Sequence, residues 1–362
     1  MSSPAFLQRL PIDGFLLAML STVLLASLYP ALGASHGALH LEQVTTVGIG
    51  LVFLLSGIGL STDQLKLGAR NWRLHLFVQS STFLLFPLIG ILVMLSFGRL
   101  LPHDLLVGFF FLCALSSTVS TSIAMTTLAR GNVAAAVFNA TVSSLIGMLI
   151  TPLLVSVWLH ASGQGLSLQQ QLLGVAEQLL LPFLAGQLLR PLVAGWVLRY
   201  QHITGKVDRA VILLIVYNSF CDSTQAGLWR NYGAVTLLQT LLLVGGLLAI
   251  VLSLTTFCAR RFGFSTEDEI TVVFCGSKKS LATGMPMAKL LFGGSATGAS
   301  SLGLIVLPIM FYHQLQLLVC SVIARRYAQR KQAPAATDPT TDSYAAEARG
   351  RSSSSAAAQP RG

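Results

Sequence analysis

Ten apolar runs, at 14–33, 43–62, 74–97, 105–128, 133–159, 171–196, 207–229, 234–258, 269–291 and 299–324, carry the chain almost from end to end. Each is near the ~20 residues a helix needs to cross a hydrocarbon layer. Lipid offers a backbone no hydrogen bonds, so such a run must pair its own N–H and C=O groups, and it does so as a helix. Composition agrees: 53% of residues are hydrophobic, 10% are charged, and the mean hydropathy is +0.71. A soluble domain carries about 25% charged residues to cover its surface. The prediction is an all-α polytopic membrane protein with about ten transmembrane helices, embedded in a lipid bilayer.

The formal charge of +10 does not point to nucleic acid. Basic residues sit in short gaps between apolar runs, and no basic stripe with interleaved aromatics occurs. The even-numbered gaps hold Lys66, Arg70, Arg73, Arg130, Arg190, Arg199, Lys206, Arg209, Arg260 and Arg261; the odd-numbered gaps hold only Arg99, Arg230 and Lys289. Arg325, Arg326, Arg330 and Lys331 follow the last run. The positive-inside bias then places both termini in the cytoplasm and the chain in the plasma (inner) membrane. Trp72, Trp158, Trp196 and Trp229 fall at helix ends, where indoles sit at headgroup level. Arg9 and the apolar stretch ending in LGAS have the outline of a cleaved leader, but the repeat described next needs that segment as a helix. Residues 332–362 are rich in Ala, Ser, Pro and Thr and are expected to form a disordered cytoplasmic tail.

Shifted by 162 residues, the fourth run falls on the ninth without a gap. Cys113 meets Cys275, Thr121 meets Thr283, Met125 meets Met287, Leu128 meets Leu290 and Gly131 meets Gly293; Ser61-Thr62 falls on Ser223-Thr224. The same offset carries each run of the first half onto one of the second. Five helices are an odd number, so the second copy enters from the opposite side. This predicts two inverted five-helix repeats, at 14–160 and 171–325, after a cytoplasmic N-terminus at 1–13.

The fourth and ninth runs are also the least lipid-like. The fourth packs Ser116, Ser117, Thr118, Ser120, Thr121 and Ser122 into its middle; the ninth carries Lys278 and Lys279 mid-run, then Gly284 and Pro286. Small hydroxyl residues also serve helix packing, and a lysine near a helix end can snorkel. A charge at the bilayer centre costs about 3 kcal/mol on insertion scales, so two central lysines are not lipid-facing. Gly284 and Pro286 suggest a helix break. Adjacent residues on a helix lie ~100° apart, so one lysine faces the site and the other a hinge or a carboxylate. Asp222 and Glu177 are the candidate counter-charges. Cys113, Cys221, Cys258, Cys275 and Cys320 lie in apolar stretches without a CxxC pair and read as buried hydrophobes. No Ser–His–Asp set, metal-ligand cluster or nucleotide loop stands out. No enzyme activity, metal or cofactor is expected.

The stretches SSTVSTSIAMTTLARGNVAAAVFNATVSSLIG, FCGSKKSLATGMPMAKLLFG and LPIMFYHQLQLLV resemble the bile acid:sodium symporter superfamily, closest to its seventh-member branch and the bacterial proteins grouped with it. The resemblance spans about residues 10–330. It implies a core domain (runs 3–5 and 8–10) moving against a panel domain (runs 1, 2, 6 and 7), with runs four and nine discontinuous where they cross. It also implies a substrate or ion site at Ser116, Ser117, Thr118, Ser122, Asn139, Ser277, Lys278 and Lys279. His313-Gln314 matches the family's substrate-facing His-Asn pair. Sodium-coupled members hold two ions with a Glu and a Gln-Asn pair on the ninth helix. Here those places read Val272-Val273-Phe274 and Ser277-Lys278, and Ala136 and Ala140 stand at ligand positions with Asn139 and Thr141 beside them. Sodium coupling is therefore in doubt, and a proton remains open. The leading expectation is a secondary transporter of a small organic anion by alternating access. The alternative is a non-transporting membrane regulator of ion homeostasis acting through a partner.

Overall fold

The computed structural model describes residues 14–34, 37, 40–59, 71–161, 173–225, 227, 233–293 and 296–330, and among these every regular element is helical. The termini, Lys66, Arg70, Ser61-Thr62, Trp229, Arg230 and the predicted tail lie outside the described residues. The helices are α1 (Gly14–Leu28), α2 (Leu41–Gly59), α3 (Trp72–Phe97), α4 (His103–Ala114), α5 (Ser120–Leu128), α6 (Val133–Ala161), α7 (Leu181–Arg199), α8 (Gln201–Gln225), α9 (Ala234–Arg261), α10 (Thr266–Gly276), α11 (Leu281–Phe292) and α12 (Ala296–Arg330).

Every apolar run contains helix, but among the described residues six helices meet the length and hydropathy expected of a membrane span. The difference from ten has physical causes. Runs four and nine are each cut into two short halves, α4/α5 and α10/α11. Helix α8 carries Lys206, Asp208, Arg209 and Asp222, which dilute its apolar character. Helix α1 is only 15 residues long. Outward leucines such as Leu95, Leu188 and Leu192 are 75, 79 and 82% exposed, as a lipid-facing surface requires.

The helices fall into two groups that meet where α8 packs against α11 and α12. Helix α2 lies along α7 and α8, and α1 lies on α8; helices α3–α6 and α9–α12 form the other group. Between Leu105 and Ala114 every residue of α4 is buried, and Glu269 to Gly276 of α10 are equally enclosed. Helix α4 meets α12 at Gly108, where an added Cβ would stand 2.2 Å from the Ile305 carbonyl oxygen, so the two backbones touch. The entry to α10 is tied by polar contacts. Ser265 caps Asp268 N–H, and the Asp268 carboxylate accepts from Asn71 at 2.8 Å and Asn132 at 2.9 Å. Glu269 accepts from Arg260 at 3.0 Å and Tyr327 at 2.7 Å.

Candidate functional site

The chain leaves helical geometry at 115–119 and again at 277–280, and the two gaps lie against one another: Ser280 N–H donates to the Ser116 carbonyl at 2.9 Å. Each gap ends a helix whose last carbonyls have no partner along the chain. Around α10 these are met by serines. The carbonyls of Val273, Phe274, Cys275 and Gly276 accept from Ser277 (2.6 Å), Ser122 (3.2 Å), Ser117 (2.7 Å) and Ser81 (2.8 Å).

Around α4 the chief donor is Lys279. Its ammonium donates to Cys113 at 2.8 Å, to Leu115 at 2.6 Å and to Thr82 at 2.9 Å, with Thr151 closing the Ala114 carbonyl at 2.8 Å. The three N–H groups of an ammonium are thereby all used. The negative end of α4 adds a favourable field, and the Phe86 ring lies 4.0 Å from Nζ. Thr82 is available for a reason legible in the chain. In the π-helical turn Ser81–Leu85 the Phe86 N–H goes to Ser81, and the next residue, Pro87, has no N–H to offer. Lys278 is buried as fully; it donates to the Thr121 carbonyl at 2.8 Å and stands 5.3 Å from the Phe274 ring. Both lysines therefore end on main-chain oxygen, and among the described residues no carboxylate is their partner. Of the two expectations for the second lysine, a hinge or a carboxylate, the carboxylate is corrected: the Lys279 ammonium is held by three converging carbonyls and the Lys278 ammonium by the Thr121 carbonyl.

A cavity of about 600 Å³ opens beside the breaks. It is walled by Ser56 and Phe53 of α2, Asp208 and Arg209 of α8, the first turns of α5 (Ser120, Thr121) and α11 (Leu281, Thr283), and His313 of α12. Helix N-termini present N–H groups and a positive field, which suits a negatively charged ligand. Among the sequence-predicted residues, Thr118 and His313 line the cavity. Thr118 accepts from Thr121 at 2.7 Å and pairs with Ser122 at 2.8 Å, and Ser122 reaches the Phe274 carbonyl. Ser116 meets Thr283 at 3.2 Å at the crossing. Ser117, Ser122, Ser277, Lys278 and Lys279 belong to the buried crossing behind the cavity wall.

Other expected placements differ. Gly284 and Pro286 do not form the break; both lie inside α11. The break precedes them, because Ser280 caps Thr283 N–H and starts a helix there. Gly284 serves close approach instead: a Cβ would stand 2.5 Å from Ile309 Cδ1. Asn139 is buried away from the cavity, receiving Gln79 Nε2 at its carbonyl at 3.2 Å. Gln314 does not act with His313; its Nε2 has no hydrogen-bond partner. Gln316 does, one helical turn along, at 3.1 Å. Gln316 also brackets Lys279, accepting its N–H and donating to its carbonyl, both at 2.9 Å. Sequence reading missed Gln316, and also Tyr312, whose hydroxyl donates to the Ser277 carbonyl at 2.6 Å. The signal for Gln316 was its i+3 spacing from His313. Glu177 is exposed in a π-helical turn, and Asp222 acts electrostatically on Lys289.

Apolar helices with two interrupted members crossing beside a central cavity make this an integral membrane transporter by class. The chain belongs to the SBF-like CPA transporter family (DUF4137), which it matches over residues 13–329. It is 48% identical to "Uncharacterized protein PA2026" of Pseudomonas aeruginosa over 93% of this chain and 98% of the relative. It is 44% identical to "Putative symporter YfeH" of Escherichia coli K12, covering 89% and 94%. "Sodium/bile acid cotransporter 7" of Danio rerio is 30% identical, covering 88% and 94%.

Proposed function

We propose that this protein is a secondary transporter that moves a small organic anion by alternating access and needs no bound sodium, because its lysines occupy the place of the coupling cation. The observation that carries the reading is the Lys279 ammonium, with all three N–H groups spent on carbonyls at the helix crossing. Sodium requires converging oxygens, and here those oxygens are taken. A second unit charge within about 4 Å of an ammonium is opposed by about 4 kcal/mol at an effective dielectric near 20. The residues present do not fit a sodium ion at this crossing.

Further support comes from the internal register. Lys279 caps Cys113 as Ser117 caps Cys275, and Lys278 meets Thr121 as Ser116 meets Thr283. In both cases the second contact is the first with each residue moved by 162 positions and the halves exchanged. This favours ten membrane crossings in two inverted five-helix repeats, 14–160 and 171–325, with both termini cytoplasmic. The group α1, α2, α7 and α8 would then be the panel and the remainder the core. The cavity between them draws on residues near the basic gaps, Gly59, Thr204 and Gly205, so it opens toward the cytoplasm. Two helix N-termini and Arg209 at the wall support an anionic solute, against the one carboxylate there, Asp208.

The test is flux of organic anions into proteoliposomes under sodium, potassium or choline, for the native chain and for Lys278→Gln and Lys279→Gln. Flux should be equal in the three salts and should fall in at least one variant. A steep sodium dependence of the native chain would overturn the proposal.

A further inference from the structure

Lys289 counted in the sequence as a stray basic residue near the end of the ninth run, and the crossing does not use it. The structure places it at the far end of α11, where its ammonium reaches across to two helices of the other group. It contacts the Thr45 hydroxyl and, at 3.5 Å, the Glu42 carbonyl of α2, and donates to Asn218 Oδ1 of α8 at 3.3 Å. Thr45 and Asn218 are fully enclosed, at 0 and 1% exposure, and the Glu42 and Asp222 carboxylates add attraction. Close by in the chain, Ser223 of α8 accepts from Gly303 N–H of α12 at 2.9 Å, a second tie between the groups.

These contacts and the cavity occupy opposite ends of the same helices. On α2 the cavity runs from Val52 to Gly59, while Lys289 takes Glu42 and Thr45, so the two are separated by roughly 10 Å at their nearest and roughly 25 Å at their farthest, at 1.5 Å per residue. On α8 the cavity takes Thr204 and Asp208, and the ties fall at Asn218 and Ser223; on α11 the cavity takes Leu281 and Thr283 and the tie is Lys289. The 162-residue register relates the two ends: Glu42 corresponds to Thr204 and Asn218 to Ser56, so two of the three acceptors of Lys289 are counterparts of residues that line the open cavity, while the third, Thr45, corresponds to Val207 outside it. Exchanging the conformations of the two halves would open the Lys289 end and shut the other.

From this we infer that Lys289 is the latch of the alternating-access cycle. Its bonds to α2 and α8 hold the two helix groups shut on the side opposite the cavity, and their release opens a second mouth there. The inference rests on the transporter reading above for its meaning, but not for its test.

The test is labelling by a membrane-impermeant thiol reagent, corrected for the native cysteines. Ile49→Cys, at a position 1% exposed, lies between the latch and the inner edge of the cavity, one turn from Thr45 and one from Val52, and Ser56→Cys reports the cavity. Adding Lys289→Ala should raise the labelling rate of Ile49→Cys, from the side where Glu42 lies, by roughly tenfold or more, and should lower that of Ser56→Cys. Lys289→Arg, which keeps a cationic donor, should stay near native. Unchanged rates at both positions, or a rise at both, would overturn the inference. Should Lys289→Ala not fold, Thr45→Val removes one acceptor at nearly constant shape and should shift both rates in the same directions by less; no shift would equally overturn it. Flux assayed in the same vesicles separates the two ideas. Shifted labelling without any transported solute leaves the latch and sinks the transporter reading; flux with unshifted labelling does the reverse.

Discussion

The Lys279 ammonium lies 2.8 Å from the carbonyl oxygen of Cys113, the last turn of a helix that ends inside the protein. A positive charge at the C-terminal end of a helix is favoured by the local dipole and by orphan carbonyls. Deep burial strengthens both, and it also makes any loss of the donor expensive. From this contact follow expectations for stability as well as for transport.

Lys279→Ala should destabilise the fold strongly. It leaves the carbonyls of Thr82, Cys113 and Leu115 buried without a donor, at about 1–3 kcal/mol each. The unfolding midpoint in detergent should drop by many degrees, and the yield of monodisperse protein with it. A midpoint within a degree or two of native would mean the ammonium is not what holds the crossing together.

The same vacancy should be open to a free ion. In Lys279→Ser, which installs the residue type found at the related position 117, three carbonyls converge on a space an ammonium has left. Sodium chloride should then raise the midpoint of this variant above its value in choline chloride, while leaving the native protein unmoved. Equal midpoints in both salts would show that the carbonyls do not form a cation site.

Gly108→Ala should be more damaging than Gly284→Ala. At Gly108 the new methyl meets a backbone carbonyl at 2.2 Å, and α4 must separate from α12. At Gly284 it meets the side-chain ends of Ile309 at 2.5 Å and Leu115 at 2.8 Å, which can rotate. Overpacking of the second kind costs about 1–3 kcal/mol. A thermal series ranking the two the other way would contradict the packing described for α4.

Asp268→Ala should loosen the entry to α10. Two buried-edge amides, Asn71 and Asn132, lose a charged acceptor, each such bond being worth about 1.5–3 kcal/mol. Asp268→Asn keeps one acceptor oxygen and should lose less. Protease nicking or hydrogen exchange near residues 266–276 reads the effect; identical protection in both variants would exclude it.

Much of this architecture was legible in the chain. The apolar runs located the helices, and the hydroxyl-rich and lysine-bearing middles of runs four and nine located the crossing, because charge and clustered Ser/Thr have no reason to sit in lipid. What the sequence concealed was of a different kind. Gly284 and Pro286 point to a break in run nine, yet Ser280 sets it by capping Thr283, and Pro286 lies inside the new helix. The partners of Lys278 and Lys279 were sought among carboxylates, but they are main-chain oxygens, which no residue type announces. The resemblance points to the adjacent pair His313-Gln314, whereas a helix brings i and i+3 together, here His313 and Gln316. Lys289 looked like a loop charge until the fold brought α2 and α8 beside it.

The acceptors around Lys279 have a consequence for how such proteins diversify. A side-chain ligand set must be assembled one mutation at a time and is lost the same way. Peptide oxygens are present whatever the codons specify, so the cradle formed by Thr82, Cys113 and Leu115 persists under drift at all three positions. On the function proposed above, the residue at position 279 would set whether these oxygens are filled by a covalently held charge or left open to a cation from solution. The scaffold that would receive such a cation is main chain, and it stays in place whichever side chain stands at 279.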